Sequence, residues 1–416
     1  WSRQRNIFPY KHNVTIVCHT GKVDLTTLKS SSDYDFYLRY ISDIQGGAIS
    51  LNPISRTVKS RKKGYASNKY LYPLTLNFRD TMGQAPAGKK SLADLGEALK
   101  IGKLSDDSID KEQMDKVLND DPCLFFEYAS RDATVTVLYA SSLYGYNREM
   151  AVTLTSATAK AMRESMKEYL NVKSNEDFDR VYRGVQRVKK GLVKNSVAPG
   201  FLMASNKEPI NERVRDILMY SSEAYHGGLN ASTEIGWIEG LTNDFDLQNA
   251  YPTAMCLVPD IDWNNPIKRT FDNVKLKLCD FKVDGKYNPM LPLVARVRFS
   301  FPKQVLYPCI PVNVEGRLIY PRTSKGLDSV YACGSELFLA LKLGATIEVE
   351  RGWVLNTLYK DGKESRSLGY AVMNLVEDRR KAKKLFGSKC IEELTLKTMV
   401  NSGYGKNAQN VVDKST

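Results

Sequence analysis

The chain has 416 residues, too many for one compact core, so two or more domains are expected. Lys and Arg outnumber Asp and Glu by 60 to 47, a formal net charge of +13, and apolar residues make up 42% of the chain. No apolar run approaches the roughly 20 residues of a membrane span. The seven cysteines, Cys18, Cys123, Cys256, Cys279, Cys309, Cys333 and Cys390, are odd in number and form no C-x-x-C pair. A membrane protein, a disulfide framework and a zinc module are therefore set aside in favour of reduced, intracellular, mostly buried thiols. The basic residues spread along the whole chain, which suits a polyanionic partner such as nucleic acid; a basic solvated surface would account for the charge as well.

In chain order, residues 14–18 (Val-Thr-Ile-Val-Cys) predict a buried strand running into His19-Thr20-Gly21. Residues 33–43 alternate aromatic and polar positions, and residues 52–70 are basic, Ser-rich and broken by Pro, as in a surface hairpin or loop. Tyr72 to Phe78 predicts a strand ending at Asp80, and Leu92, Leu95 and Leu99 share one helical face. Residues 103–121 are acidic and polar; Cys123 to Tyr144 predicts a long amphipathic helix. From about 150 to 225 the pattern is helical and basic, Arg180 to Lys194 included, and Tyr225-His226-Gly227-Gly228 breaks it sharply. Residues 237–255 predict a strand then a turn, 274–355 a strand-rich region, and 369–408 two helices broken near Gly387-Ser388.

Three segments carry chemistry when taken together. Asp246-Leu247-Gln248-Asn249-Ala250-Tyr251-Pro252 follows an expected apolar-edged strand. An Asp at a strand end can hold a hard cation that takes its other ligands from phosphate and water. Tyr251, held by the Pro252 turn, can pack flat against a sugar; taken alone, the segment fits an Asx-type turn with a core aromatic better. In Lys397-Thr398-Met399-Val400-Asn401-Ser402-Gly403-Tyr404-Gly405, helical spacing puts Lys397, Asn401, Tyr404 and Gly405 on one face. That stripe offers a cation, an amide, an aromatic platform and a residue without a side chain, which a packed core does not want. On the preceding helix Arg379 and Lys383 lie one turn apart and can grip a triphosphate, although a solvated basic face has the same pattern.

These segments resemble the D-x-x-S-L-Y-P, K-x-x-x-N-S-x-Y-G and R-x-x-x-K motifs of family B DNA polymerases, in that family's order and spacing. Asn249 stands where the family usually has Ser, and Ala250 where it often has Leu. The resemblance implies that Asp246, and the carbonyl of Leu247, bind the catalytic metals. It makes Tyr251 the gate against a ribose 2′-hydroxyl. Arg379, Lys383 and Lys397 then neutralise the triphosphate, and Asn401, Tyr404 and Gly405 shape the nascent base pair. Tyr225-His226-Gly227-Gly228 resembles the Y-x-G-G motif of the protein-primed branch, implying DNA contacts at Tyr225, Gly227 and Gly228; an ordinary turn remains open. Leu306 to Val354 is similar to sequences in phage, plasmid and viral members of the family.

Upstream, Tyr128 and Asp132 share a helical face. His19-Thr20-Gly21-Lys22-Val23-Asp24 resembles the family's second exonuclease motif, N-x-x-F-D, with Thr20 for Asn and Val23 for the aromatic. The resemblance implies metal-site carboxylates at Asp24 and Asp132, a water-positioning Tyr128, and a DNA contact at Thr20. The implied fold is α/β (α+β) and multidomain. A partial RNase H-like 3′-5′ exonuclease domain over residues 1–145 would be followed by a basic helical connector over 146–224. A palm with an antiparallel sheet and a strand-rich insertion would span 225–368, and two fingers helices 369–416. No D-x-E precedes Asp24 and no D-T-D follows Lys397, so a chain truncated at both ends, and nearly inactive alone, is expected. The implied cofactors are Mg²⁺ or Mn²⁺, two ions per active site. The implied partners are primer-template DNA, deoxynucleoside triphosphates and a terminal protein primer, with no membrane, in the host cytoplasm. Two rivals stay open: a degenerate polymerase acting as a 3′-5′ exonuclease, and a non-catalytic basic DNA-binding protein.

Overall fold

The computed structural model describes residues 12–21, 41–43, 49–59, 71–86, 88–101, 109–110, 112–144, 150–194, 201–229, 235–247 and 249–407. The chain divides into two compact units, one of residues 1–161 with 374–403, the other of 162–373 with 404–416.

The first unit is built on a mixed sheet in the order β1-β4-β3-β2, from β1 (His12–Cys18), β2 (Ile41–Asp43), β3 (Ile49–Lys59) and β4 (Leu71–Asp80). β3 and β4 are the arms of an antiparallel hairpin, whereas β1 runs parallel to β4 with Cys18 opposite Asp80. The expectation of a buried strand at 14–18 is corrected: the strand forms, but Val14 and Ile16 are 43% and 41% exposed. Among the described residues β1 lies at the edge of the sheet, with β4 as its one strand neighbour. Helix α1 (Leu92–Ala98) starts at Ser91 with a reciprocal capping box to Asp94 and buries Leu95. After α2 (Met114–Asp120), the long helix α3 (Pro122–Tyr144) opens on a proline at its first position, with Asp121 accepting from the Leu124 amide at 3.0 Å. α3 packs against β1 and turns Val135, Thr136, Tyr139 and Ala140 inward. Leu95, Val135, Tyr139 and Ile391 form this unit's core, and the Tyr139 hydroxyl donates to the Gln84 carbonyl at 2.7 Å.

Helix α4 (Leu154–Leu170) is followed by α5 (Asn175–Arg183), β5 (Val185–Lys194), β6 (Phe201–Pro209) and α6 (Glu212–Glu223). The helical expectation over Arg180–Lys194 is therefore wrong past Arg183. Gly184 takes a left-handed conformation (φ +66), caps α5, and leaves the next residues to pair as an antiparallel ribbon.

The second unit holds a four-stranded antiparallel sheet, in the order β9-β8-β10-β7, made of β7 (Ile267–Lys275), β8 (Leu293–Ser300), β9 (Val330–Cys333) and β10 (Thr346–Leu355). Strand β8 alternates only weakly because both faces are covered, as its run of buried Leu293, Val294 and Ala295 shows. One face packs Phe281, Ile310, Leu337 and Ile347; the other packs Val214, Ile217, Tyr220, Trp263 and Trp353. Helix α7 (Ala250–Leu257) precedes the sheet, α8 (Gly334–Lys342) lies within it, and α9 (Ser367–Phe386) and α10 (Ile391–Asn407) close the described chain with the expected break between them. No helix among the described residues is long and apolar enough to cross a membrane.

Candidate functional site

The segment leading to Asp246 departs from expectation. Residues 235–247 form no regular element, and Ile235, Trp237, Leu241 and Phe245 are each at least 90% exposed. A strand needs a neighbour for its backbone groups, and among the described residues no strand pairs with this one. Asp246 and Leu247 are both exposed. Gln248 lies outside the described residues; Asn249, at φ +54, tolerates the left-handed turn that opens α7. Tyr251 thus sits on the first turn of a helix, not on a proline turn: Pro252 near a helix start costs no hydrogen bond.

Three segments far apart in the sequence meet around Tyr404. Its ring centroid lies 4.6 Å from that of Tyr251 and 6.1 Å from that of Tyr225. The Tyr404 hydroxyl donates to the backbone carbonyl of His226 at 3.4 Å. A Cβ on Gly228 would stand 2.9 Å from the Tyr251 hydroxyl, so the turn and that ring approach closely. Burial pushes the Tyr404 phenol up to about 12, with Tyr225 and Tyr251 adding to it, so it remains a neutral donor throughout the physiological range. The cluster presents two aromatic faces, Tyr225 and Tyr251, each close to half exposed. Such faces can stack on sugars and bases.

On α10, Lys397, Asn401 and Gly405 are exposed and Tyr404 is half-buried, as the predicted polar stripe requires, while Val400 and Gly403 are buried. On α9, Lys383 is exposed. Arg379 is engaged: its Nε and Nη2 lie 2.8 and 2.7 Å from Oε1 of Glu393, a buried carboxylate. Both donors are spent on one oxygen, which fixes the guanidinium plane and leaves its remaining N–H groups for another anion.

In the first unit Asp24 lies outside the described residues. Thr20 holds a left-handed backbone (φ +63), and its hydroxyl is turned to Met82 Sδ at 3.6 Å. Its amide and that of Gly21 donate to the two carboxylate oxygens of Asp80 at 3.0 and 2.9 Å, and Met82 N adds a third bond at 2.9 Å. Buried Asp80 is therefore the post that shapes the turn. Tyr128 and Asp132 are half-buried on α3, one turn apart. Among the described residues no group of three or more His, Cys, Asp or Glu side chains gathers as a metal cage.

Sequence reasoning missed Asp80, Glu393 and the pair of His226 with Glu336. Only Glu336 had a local signal: Cys333-x-x-Glu336 has the spacing of a capping box. The other roles depend on partners from distant segments.

The fold defined by this arrangement is that of the phi29 DNA polymerase. Phi29 polymerase with primer-template DNA and incoming nucleotides superposes at a TM-score of 0.54, 15% identical, covering 95% of this chain and 60% of that one. The same polymerase with primer-template DNA alone gives 0.51, at the same identity, covering 95% of this chain and 59% of that one. No protein-family model matches the chain. In sequence, a primer-independent DNA polymerase PolB of Escherichia coli is 27% identical over 371 residues, 81% of this chain and 37% of the relative. The resemblance to family B DNA polymerases is thus borne out, and the fold is shared with the phi29 enzyme. The chain spans just over a third of the curated relative's length.

Proposed function

We propose that the chain is the editing and nucleotide-binding part of a DNA-directed DNA polymerase that replicates phage, plasmid or viral DNA and proofreads with a 3′-5′ exonuclease. The observation that carries this reading is the convergence of Tyr225 to Gly228, Tyr251 and Tyr404 on one aromatic cluster. A basic protein that merely coats DNA has no need to gather those three segments. In this reading residues 1–145 are the partial exonuclease domain, 146–224 the connector, 225–368 the palm and 369–416 the fingers. The protein works in the host cytoplasm, and a terminal protein is a further partner.

Asp246 and the Leu247 carbonyl, both on exposed residues, fit a hard cation, which uses few protein ligands and completes its shell with water and phosphate. Two such ions, when bound, would supply the Lewis acidity that makes a primer 3′-hydroxyl nucleophilic and offsets charge on the departing pyrophosphate. The chain's own side chains position and neutralise. Lys383 and Lys397 meet triphosphate oxygens as point charges, and Arg379, oriented by Glu393, does so through its free edge. Tyr251 lies against the sugar, where a 2′-hydroxyl would strike its ring. Asn401, Tyr404 and Gly405 face the nascent pair. In the editing domain Asp24 and Asp132 would hold the metals and Tyr128 the attacking water, with Thr20 placed beside the frayed strand.

The 416-residue chain itself is expected to bind primer-template DNA in fluorescence anisotropy titrations. For about four phosphate contacts, affinity should fall roughly a hundredfold between about 50 and 200 mM salt. Binding that ignores salt would sink the nucleic-acid reading. In the polymerase that carries the chain, Tyr251→Ala is expected to lower the preference for deoxy- over ribonucleotides by roughly 10–200-fold, the range a single pocket contact commands. Discrimination is read as the ratio of kcat/KM values, and an unchanged ratio would remove Tyr251 from the gate.

A further inference from the structure

His226 lies inside the turn that closes on Tyr251 and Tyr404, and its ring leaves the cluster to meet a carboxylate of the sheet unit. Its Nε2 bonds to Oε1 of Glu336, and its Nδ1 faces the carbonyl of Gly227 at 2.6 Å. Glu336 is fixed from the other side. Its Oε2 accepts from the Cys333 amide at 3.0 Å, and it stands on the first turn of α8, a helix whose Gly334, Leu337 and Ala340 are buried in the core. The pair is largely screened from water, with side-chain exposures of 27% for His226 and 15% for Glu336. The His226 carbonyl, in turn, takes the Tyr404 hydroxyl. A continuous chain of contacts therefore runs from the α8 capping box through Glu336 and His226 to the aromatic cluster.

We propose that Glu336 and His226 form a clamp that positions the Tyr225–Gly228 turn against Tyr251 and Tyr404. Its role in holding DNA at the site rests on the polymerase reading. Neither residue touches a reacting group; both act through the turn.

The clamp has a defined protonation state. Both ring nitrogens of His226 face acceptors, a carbonyl and a carboxylate, and only the imidazolium has two N–H groups to give. Neutral imidazole must present a lone pair to one of them. The Glu336 hydrogen bond accordingly raises the His226 pKa above its ordinary value, against the opposing effect of burial. The sign follows. A raised pKa means that the stabilisation is fully present below the unfolded histidine value and is lost as pH rises through the folded one. The other titratable groups facing the pair are Tyr225 on the turn, Tyr251 on α7, Tyr404 on α10, and Cys309, Tyr320 and Cys333 around the carboxylate. Burial pushes Tyr404 up to about 12 and Cys309 up to about 11, and raises Cys333 and Tyr320. Near neutral pH the histidine is the group whose charge changes.

The test uses the 416-residue chain and two near-isosteric variants. Glu336→Gln keeps an oxygen for the Cys333 amide; His226→Gln keeps a donor toward Glu336 but cannot titrate. Amide exchange over residues 225–229 is followed by mass spectrometry from about pH 5.5 to 8.5, corrected for intrinsic exchange. Wild-type protection should be highest at the acid end and fall about tenfold across the range, E336Q should be low throughout, and H226Q should be flat with pH. E336Q with wild-type protection and wild-type pH dependence would overturn the clamp. Primer-template affinity, measured alongside, should follow the protection. Equal affinity in all three proteins, with the protection changing as expected, would overturn the clamp's role at the site. A wild-type chain that binds no primer-template DNA would instead sink the polymerase reading, and the exchange data would still decide the clamp.

Discussion

If the proposed polymerase reading holds, replacing Asp246 by Ala in the full-length protein is expected to lower primer extension on the order of a thousandfold or more. A carboxylate that holds catalytic metals supplies several kcal/mol of transition-state stabilisation, and about 4 kcal/mol is about a thousandfold in rate. The structure makes the experiment clean. Asp246 is exposed, in a segment with no regular hydrogen-bonded structure, and its neighbours Phe245 and Leu247 are exposed too. Truncating such a residue changes stability by about 0.5 kcal/mol or less. A loss of rate with an unchanged melting curve and unchanged primer-template affinity then reports chemistry alone. Single-turnover incorporation of one nucleotide, with Mg²⁺ and again with Mn²⁺, is the measurement. Extension surviving at more than a tenth of the wild-type rate would remove Asp246 from the metal site. A wild-type protein that extends no primer yet degrades single strands from the 3′ end would instead favour the rival in which the polymerase site has decayed.

What the sequence made legible follows the range of the interactions involved. Helix α3, the break between α9 and α10, and the polar stripe of Lys397, Asn401 and Gly405 depend on local spacing and on one amphipathic face, and each is found where expected. The ribbon of β5 and β6 was misread because its basic residues suit a helix as well as a strand. The decision came from Gly184, which ends α5 in a left-handed turn, and from a pairing partner beginning at Phe201. The approach to Asp246 failed the opposite way: its apolar residues look like a strand, but a strand also needs a neighbour. At the site, residue types that are costly to bury announced themselves, whereas their supports did not. Glu393 beneath Arg379, Glu336 behind His226 and Asp80 under Thr20 are ordinary acidic residues in sequence. They become functional in character only when a distant segment brings the donor. Tyr404 shows the same logic from the favourable side, since three motifs far apart in the sequence meet at its ring and backbone contacts.

Asp260→Ala is expected to be the most destabilising of the single substitutions considered, by roughly 3–5 kcal/mol. The Asp260 carboxylate is 3% exposed and fully used. Its Oδ2 accepts from Ser365 Oγ at 2.6 Å and from the Ser367 amide at 2.9 Å, and its Oδ1 accepts from Ser367 Oγ at 2.6 Å. Both serines are buried, so removal of the carboxylate strands two hydroxyls and an amide out of reach of water. The charge also lies at the first residue of α9, where the positive end of the helix dipole favours an anion. Backbone bonds reinforce the node: Asp260 N donates to Ser365 O, and Leu358 N to Asp260 O, each at 2.8 Å. Near the start of α9, the Gly369 carbonyl faces Cys256 Sγ of α7 at 3.9 Å, so the first turn of α9 is seated beside α7. Asp260→Asn keeps the size and one acceptor oxygen, but loses the charge and must reorient a hydroxyl, and should cost about 1–3 kcal/mol. For a unit of some 200 residues the alanine variant lowers Tm by roughly 6–20 °C, with the asparagine variant between it and wild type. Differential scanning calorimetry orders the three proteins. An alanine variant that melts with the wild type would show that the carboxylate does not hold the base of α9, and the seating of that helix would have to come from its apolar contacts alone.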